Sequence, residues 1–360
     1  MTSAGWAQAR RILGVRLDAM GDVLMTTPAL RALKASAPGR HITLLTSPAG
    51  ADIAALVPDV DDVIVYEAPW VKATGPRQNG RTDRDMIERV RGERFDAAVI
   101  FTVYSQNPLP AALFCWLADI PLRLAHCHEN PYQLLSDWVR DPEPATGIRH
   151  EVRRQLDLVA TIGARTESEC LSLDVPETAL RSVRQRLDRL GIDAARGWVL
   201  MHPGASAVSR RYPTERFAAV ARALLAQGIQ ILLTAGPEED HLLADIVQRL
   251  PGDGLPVLCD LALDELAALA SCATLLVSNN SGPVHIAAAV GTPVVDLYAL
   301  TNPQHTPWQV PHRVLFHDVP CKYCYRSVCP EGHHACLRGV PSESVVTATL
   351  DLLAEVGGRG

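Results

Sequence analysis

The feature that most constrains this chain is a repeated alternation between short apolar segments and amphipathic helical segments. Residues 12–17 predict a first strand and residues 23–35 the helix after it, with further strands at 41–46, 63–66 and 97–102. A polar, glycine-containing stretch at 75–85 predicts a mobile loop. This alternation is typical of βαβ units, in which helices cover both faces of a parallel sheet.

The same alternation restarts in the second half of the chain. Strands are predicted at residues 198–202, 229–234, 275–278 and 293–298, with a very short one at 257–258. Helices are predicted between them, at residues 215–227, 238–250, 263–270 and 282–290. Two separate series in 360 residues predict an α/β protein with two Rossmann-like domains, each with its own sheet.

We place the domains at residues 1–175 and 176–341, because Pro176 suits the first turn of a new helix. A C-terminal helix is predicted within residues 342–360, and in two-lobed α/β folds such a helix often packs back on the first domain.

Composition narrows the function. A net charge of −6 argues against a nucleic-acid binder, which needs a basic face. The first eleven residues lack the apolar core of a signal peptide, and no apolar run reaches the length of a membrane span. The sequence therefore predicts a cytoplasmic protein with no nucleic-acid partner.

The loop after the first predicted strand carries two carboxylates, Asp18 and Asp22. Gly21 would let the backbone turn tightly, which would place Asp22 at the start of the next helix. Asp22 then either caps that helix or points into a ligand site as a general base. Asp18 is the alternative base.

Two loops in the second domain suit an anion. Ser206 follows a strand and small residues, and Arg210 and Arg211 come shortly after it, so a phosphate could meet both backbone N–H groups and guanidinium groups. The arginines could equally be solvated loop charges.

The other loop is Asn280-Ser281-Gly282-Pro283-Val284-His285, where a strand ends and a helix begins. Proline in the first turn and unpaired N–H groups at a helix start make an anion site, and His285 would lie close to it. The chain has no Walker lysine motif, no G-x-G-x-x-G after its first strand and no G-x-S-x-G elbow. A kinase, a dehydrogenase and a hydrolase are accordingly disfavoured.

These motifs, in this order, resemble glycosyltransferase family 9, the ADP-heptose:lipopolysaccharide heptosyltransferases and their relatives. The resemblance rests on the segments 16–23, 27–30, 203–206, 211–213, 235–238 and 280–285. It implies a GT-B fold, in which the acceptor domain and the donor domain face each other across a central cleft. It also implies inverting transfer of heptose from ADP-heptose, with no cofactor required for catalysis.

Residue roles follow from the same resemblance. Asp22 matches the catalytic base. The donor-binding positions are Ser206, Arg210, Glu238, Asn280, Ser281, Gly282 and His285. Two positions depart from the family pattern. Asn280 replaces the usual aspartate, and Ala299-Leu300-Thr301 replaces a frequent Gly-Pro-Thr.

Acceptor recognition is less marked in the sequence. Basic residues of the predicted acceptor domain could meet phosphorylated sugars or could be ordinary surface charges. The principal candidates are Arg77, Arg81 and Arg84, and the others are His126, His128, Arg149, Arg153 and Arg154. A lipid-linked or core-oligosaccharide acceptor would bring the protein to the inner face of the inner membrane as a peripheral protein.

Four cysteines are grouped near the end of the chain: Cys321, Cys324, Cys329 and Cys336, with His333 and His334 among them. This spacing could hold a structural zinc or iron ion, form disulfides, or leave free thiols packed in a loop.

The function most consistent with the sequence is heptose transfer to a lipopolysaccharide core. The alternatives are a relative that uses another nucleotide-sugar or a protein acceptor, a nucleotide-sugar epimerase of the same fold, and a non-catalytic carbohydrate- or nucleotide-binding protein.

Overall fold

The computed structural model describes residues 3–72, 74–251 and 254–357, and the chain divides into two compact units, Met1–Asp174 and Val175–Gly360. The first unit holds six strands: β1 Arg11–Arg16, β2 His41–Thr46, β3 Asp62–Val65, β4 Ala97–Ile100, β5 Leu122–Cys127 and β6 Asp137–Arg140. Its helices are α1 Ser3–Gln8, α2 Met20–Ala35, α3 Pro48–Ala54, α4 Arg81–Gly92, α5 Leu109–Leu117 and α6 Glu151–Ala160.

All strand pairs of the first sheet are parallel, in the order β3-β2-β1-β4-β5-β6. The inner strands β1, β2 and β4 are buried almost throughout. Helices α2, α3 and α6 pack together, and α4 packs on α5. Near-continuous apolar strands between helical layers are what a parallel sheet requires, because both of its faces are covered.

Helix α2 contains Pro28, which has no N–H to donate to the carbonyl of Leu24. The hydroxyl of Thr27 donates to that carbonyl instead, at 2.7 Å. The helix therefore continues through the proline. Gly21 lies inside α2 and is not the turn residue that the sequence predicted, since the chain turns before Met20.

The second unit has five strands: β7 Trp198–His202, β8 Gln230–Leu233, β9 Leu275–Asn279, β10 Val294–Leu297 and β11 His312–Leu315. Its helices are α7 Glu177–Arg189, α8 Thr214–Leu225, α9 Asp240–Gln248, α10 Leu263–Cys272, α11 Gly282–Ala289, α12 Ala335–Arg338 and α13 Ser342–Gly357. The sheet order is β11-β10-β9-β7-β8, again all parallel.

A single parallel bridge joins Leu233 to Val257 beyond β8. The short strand predicted at 257–258 is therefore one bridge, and with it the second sheet repeats the strand order of the first. Each unit encloses its own apolar core.

The last helix, α13, packs against α8 and the strands β9, β10 and β11. Residues 358–360 of the predicted C-terminal segment lie outside the described residues. A contact of this segment with the first domain stays a prediction.

Candidate active site

The two sheets have the same special position, where the strand order reverses. This happens between β1 and β4 in the first unit and between β7 and β9 in the second. The loops that leave two such strands run to opposite faces of the sheet, so a crevice opens at their carboxyl ends. In the first unit Gln106, after β4, donates to Asp18 at 2.6 Å. In the second, Asn279 donates to the carbonyl of Pro203, also at 2.6 Å.

At the first position, a buried guanidinium holds three carboxylates. Arg16 ends β1 with its side chain fully buried. Its Nε lies 3.1 Å from Asp18 Oδ2, its Nη2 3.0 Å from Asp22 Oδ1 and its Nη1 2.8 Å from Glu151 Oε1. Burial alone would lower the pKa of Arg16, and the three negative charges raise it above its ordinary value. Arg16 is therefore a permanent cation that fixes the carboxylates.

The three carboxylates differ in their access to solvent. The Glu151 side chain is buried, and burial raises its pKa. Asp18 and Asp22 are 17% and 19% exposed. Burial also raises the pKa of Asp18, with a contribution from the Asp22 charge. Only Asp18 and Asp22 can therefore meet a ligand, and Glu151 acts by holding Arg16.

Asp22 lies in the first turn of α2, and the residue at the N-cap position is Ala19, whose side chain makes no capping hydrogen bond. The Asp22 carboxylate pairs with Arg16 instead. Asp22 is thus not the N-cap residue of α2, and its role as general base stays a prediction.

The second position is the start of α11. Ser281 is its N-cap residue in an extended conformation, and Pro283 lies in the first turn, as predicted. The Ser281 hydroxyl lies 3.4 Å from the carbonyl of Gly204 and 3.2 Å from that of Asn279. His285 is buried within this helix, with its ring edge-on to His305 at 6.5 Å between centroids. The N–H groups of this helix start and its positive dipole end suit an anion.

The loop after β7 already holds an anionic group, the carboxylate of Glu239, which reaches into it from the start of α9. Its Oε1 accepts from Ala205 N at 2.8 Å and from Arg211 Nη2 at 3.1 Å, and its Oε2 accepts from Gly236 N at 3.3 Å. Gly204 has no room for a side chain, since a Cβ would lie 1.9 Å from Glu239 Oε2. This loop is thus a built receptor for a negatively charged oxygen.

The sequence pointed to Glu238 for this half, but that residue is exposed, and its neighbour Glu239 makes these contacts. Ser206 is exposed on the loop after β7, and Arg210 ends a 3-10 turn, Val208–Arg210. The amide of Asn280 donates to Asp296 Oδ2 and to the carbonyl of His305, both at 2.9 Å. The donor roles of these residues stay predictions.

The candidate acceptor residues divide into two groups. Arg81 and Arg84 are exposed on α4, whose first turn falls in the predicted 75–85 loop. Arg77 pairs with Asp83 at 2.7 Å. The remaining candidates make ion pairs or hydrogen bonds within the chain. Arg154 is buried against Asp141 and Glu143, Arg149 pairs with Glu143, and Arg153 pairs with Glu169. His126 is hydrogen-bonded to the carbonyl of Arg154, and His128 to the carbonyl of Tyr104. Burial lowers the pKa of His126 to about 4, so this imidazole is neutral at physiological pH.

The cysteines Cys321, Cys324, Cys329 and Cys336 are all free, and together with His333 and His334 they line one small cavity. Cys321 Sγ lies 3.9 Å from His333 Nε2. In the described ranges, no three His, Cys, Asp or Glu side chains are close enough together to hold a metal ion. The arrangement therefore does not fit a metal ion without a rearrangement.

The family model described as glycosyltransferase family 9 (heptosyltransferase) matches residues 84–335. That match covers more than half of the chain and includes the loop after β7 and the start of α11. The chain belongs to glycosyltransferase family 9. It is 26% identical over 344 residues to lipopolysaccharide heptosyltransferase 3 of Escherichia coli strain K12, covering 93% of this chain and 96% of the relative.

Solved structures of family 9 proteins share the fold. A family 9 glycosyltransferase from Veillonella parvula superimposes with a TM-score of 0.80 at 23% identity, covering 96% of this chain and 98% of the other. The ADP-heptose lps heptosyltransferase II of E. coli gives 0.74 at 23% identity, covering 96% and 99%. The prediction of a GT-B glycosyltransferase with two Rossmann-like domains is confirmed.

Sequence reasoning missed Arg16, Glu151 and Glu239 as parts of the site. Arg16 had one signal, a charged residue at the end of an otherwise apolar strand. Glu151 is 135 positions away from Arg16 in the sequence, and only the fold brings them together. Glu239 follows Gly236 and Pro237 closely, which marks the segment without showing which glutamate faces inward.

The variant Arg16→Met tests the buried ion cluster. It removes the cation and leaves three carboxylates around an apolar side chain, so we expect the free energy of unfolding to fall by about 3–5 kcal/mol. The matched control is Arg11→Met, which removes an exposed pair with Glu93 at 2.8 Å and should cost about 1 kcal/mol or less. Urea unfolding followed by circular dichroism measures both. Equal losses in the two variants would contradict the role given to Arg16.

Proposed function

We propose that this family 9 enzyme transfers heptose from ADP-heptose to a lipopolysaccharide core, with inversion at the anomeric carbon and with no cofactor. The observation that carries the proposal is Asp22, a partly exposed carboxylate held by Arg16 at the strand-order reversal of the first unit. Family membership and the sequence similarity to lipopolysaccharide heptosyltransferase 3 support the choice of sugar and acceptor.

In the proposed reaction Asp22 is the general base. It takes the proton of the acceptor hydroxyl while that oxygen forms a bond to the anomeric carbon of the heptose. The bond from that carbon to the diphosphate breaks, and ADP leaves with the electron pair. A single displacement inverts the configuration. The ion pair with Arg16 orients the Asp22 carboxylate. A late proton transfer to an oxocarbenium-like transition state suits a carboxylate base.

The second unit would bind the donor. The start of α11, with Ser281, Gly282 and His285, would take the diphosphate, and Arg210 would add a positive charge. These groups would act most strongly on the leaving diphosphate, whose charge grows as the glycosidic bond breaks. Ser206 and Glu238 would contact other parts of the donor, as the resemblance to the family implies.

Four other functions predict different outcomes in the same assays. A relative with a different donor would prefer UDP or GDP over ADP, and one with a protein acceptor would leave the lipopolysaccharide core unmodified. An epimerase would convert the donor with no acceptor present. A non-catalytic binding protein would bind the donor tightly without turnover.

We expect Asp22→Ala to lower heptose transfer from ADP-heptose to heptose-deficient lipopolysaccharide core by about 10²- to 10⁴-fold, since that is what a general base contributes. Asp52→Ala is the matched control, because Asp52 is an exposed carboxylate on α3 of the same unit, and it should keep full activity. Single-turnover transfer with labelled donor measures both.

The companion variant Asp18→Asn separates the two candidate bases. Full activity in Asp22→Ala together with its loss in Asp18→Asn would move the base to Asp18. No transfer by the unaltered protein to this acceptor would overturn the heptosyltransferase proposal.

For the cysteine group we propose a structural part with reduced thiols. The segment that carries these cysteines supports the donor half, because Ser209 N donates to the carbonyl of Ser327 at 3.2 Å and Ser209 Oγ to that of Arg326 at 2.9 Å. Tyr325 N also donates to the carbonyl of Thr301 at 2.8 Å. Ser209 precedes Arg210, so this segment helps to fix the turn that carries the arginine.

Metal analysis of protein purified without added zinc or iron tests this proposal. We expect metal well below one equivalent per chain and thiol reagents to modify Cys321, Cys324 and Cys329 without prior reduction, since none of them is in a disulfide. Cys115, which is fully buried, serves as the unreactive control. One equivalent of zinc or iron, lost on replacing Cys324 by serine, would establish the metal clip instead.

We further propose that the enzyme works at the cytoplasmic face of the inner membrane as a peripheral protein. No helix of the described ranges could span a bilayer. Leu113, Trp116 and Leu117 form an exposed apolar stripe on α5. Trp138 and Arg140 of β6 are also exposed. They pair with Ala125 and Cys127 of β5, so all four side chains lie on the face of the sheet that α5 covers. Exposed aromatic residues beside a cation suit the interface of an anionic bilayer.

Flotation with vesicles of phosphatidylethanolamine and phosphatidylglycerol measures this association. We expect Trp116→Ser to weaken binding about tenfold, because a buried indole contributes that much or more to transfer out of water. Leu225→Ser, an exposed apolar position at the end of α8 in the other unit, should leave binding unchanged. Equal binding by both variants would place the membrane contact elsewhere.

A further inference from the structure

Asp296, on β10, is a fully buried carboxylate close to the candidate diphosphate site. Its Oδ2 accepts from Asn280 Nδ2 at 2.9 Å, and its Oδ1 has no hydrogen-bond partner among the residues that the structure describes. Burial raises the pKa of Asp296 to about 8, against the opposite effects of the Asn280 hydrogen bond and the Arg210 charge. A buried carboxyl group of this kind is costly, so a simple apolar strand residue would be more stable there.

Asn280 links this carboxyl group to the start of α11. Its Nδ2 donates to Asp296 and to the carbonyl of His305, and its backbone N–H donates to the carbonyl of Leu297 at 3.1 Å. Both hydrogens of the amide are therefore used. The next residue is Ser281, the N-cap of α11. The position of the helix start thus depends on a side chain that Asp296 holds.

Arg210 lies in the loop after β7, and its positive charge acts on the same carboxyl group. Its Nε is buried and has no hydrogen-bond partner within the described ranges. Asp296 is therefore shared by the two elements to which we assign the diphosphate, the start of α11 through Asn280 and the loop after β7 through Arg210.

We propose that Asp296 is a positioning residue for diphosphate binding, because its carboxyl group orients the Asn280 amide at the start of α11. This inference rests on the proposed function of the second unit. It gives Asp296 no contact with the substrate. The hydrogen bond to Asn280 is the essential part, so an asparagine at 296, whose amide oxygen can still accept it, should largely replace the carboxyl group.

A plain Coulomb argument gives the opposite expectation. A carboxylate near a diphosphate repels it, so its removal should tighten binding. The positioning role instead predicts weaker binding after removal, because the Asn280 amide loses its acceptor and its orientation. The direction of the change therefore separates the two explanations.

The experiment is calorimetric titration of the full chain with ADP, UDP, GDP, inorganic pyrophosphate and adenosine. We expect Asp296→Ala to weaken the binding of the preferred diphosphate about tenfold and Asp296→Asn to change it less than about threefold. Adenosine lacks the diphosphate, so its binding should not change in either variant. Thr349→Val is the matched control. It removes a buried hydrogen bond of the same unit, from the Thr349 hydroxyl to the carbonyl of Val345, and both residues lie in α13 rather than at the proposed diphosphate site.

The double variant Asn280→Ala with Asp296→Ala tests whether the two residues act as a pair. If they do, the double variant should bind no more than about threefold more weakly than Asp296→Ala alone. Additive losses, unchanged or tighter diphosphate binding in Asp296→Ala, or an equal loss for adenosine would each overturn the positioning role. An equal loss of diphosphate binding in Asp296→Ala and Asp296→Asn would also overturn the positioning role.

The same titrations keep this inference separate from the identity of the donor. A preference for UDP or GDP in the unaltered protein would overturn the ADP proposal, and a tenfold loss of that nucleotide in Asp296→Ala would still support the positioning role. If no diphosphate and no pyrophosphate binds the unaltered protein, both proposals are wrong.

Discussion

Parallel pairing obliges each strand to be followed by a crossover that returns the chain to the same end of the sheet. Every strand pair of both sheets is parallel, so in each unit the loops that follow the strands gather at one edge. The strand order reverses between β1 and β4 and between β7 and β9; Asp18 and Asp22 follow β1, and the start of α11 follows β9. The positions of the proposed base and of the proposed anion site both follow from this one constraint.

The polar clusters of the two units each satisfy their charges within their own unit. In the first unit Arg16 holds Asp18, Asp22 and Glu151, and in the second unit Glu239 accepts hydrogen bonds from the backbone and from Arg211. Such clusters cost desolvation energy when they form. In return, the groups that would meet a ligand are fixed in place beforehand, and little reorganisation is left for the reaction itself.

The elements best predicted from the sequence are those whose apolar pattern is strongest. Strands β2 and β7 have the predicted limits, because both are short, mainly apolar segments that end in a polar residue. The edge strand β6 was missed, since its residues alternate between partly buried and exposed and include two charges. The first turn of α4 was interpreted as a loop, because the apolar residues that bury this helix, such as Val90, come only later in it.

The residues of the candidate site also differ in how well the sequence predicts them. Asp22 and Ser281 could be named as candidates because each lies at the start of the helix that follows a strand, and the sequence shows where a strand ends. The partners of these residues could not be located, since contacts such as Arg16 with Glu151 join distant parts of the chain. The choice between Glu238 and Glu239 depends on the first turn of one helix, and a shift of one residue there changes which side chain faces the loop.

Gly204 shows what this tight arrangement means for change in the sequence. The space beside its Cα is filled by the Glu239 carboxyl group and by the ring of His202. Any other amino acid at 204 would displace that carboxyl group, and the amide of Ala205 would lose its acceptor. A side chain at 204 therefore requires the Glu239 side chain to swing out of the loop or to be replaced by a shorter one. Positions 204 and 239 are thus expected to vary together in descendants of this protein.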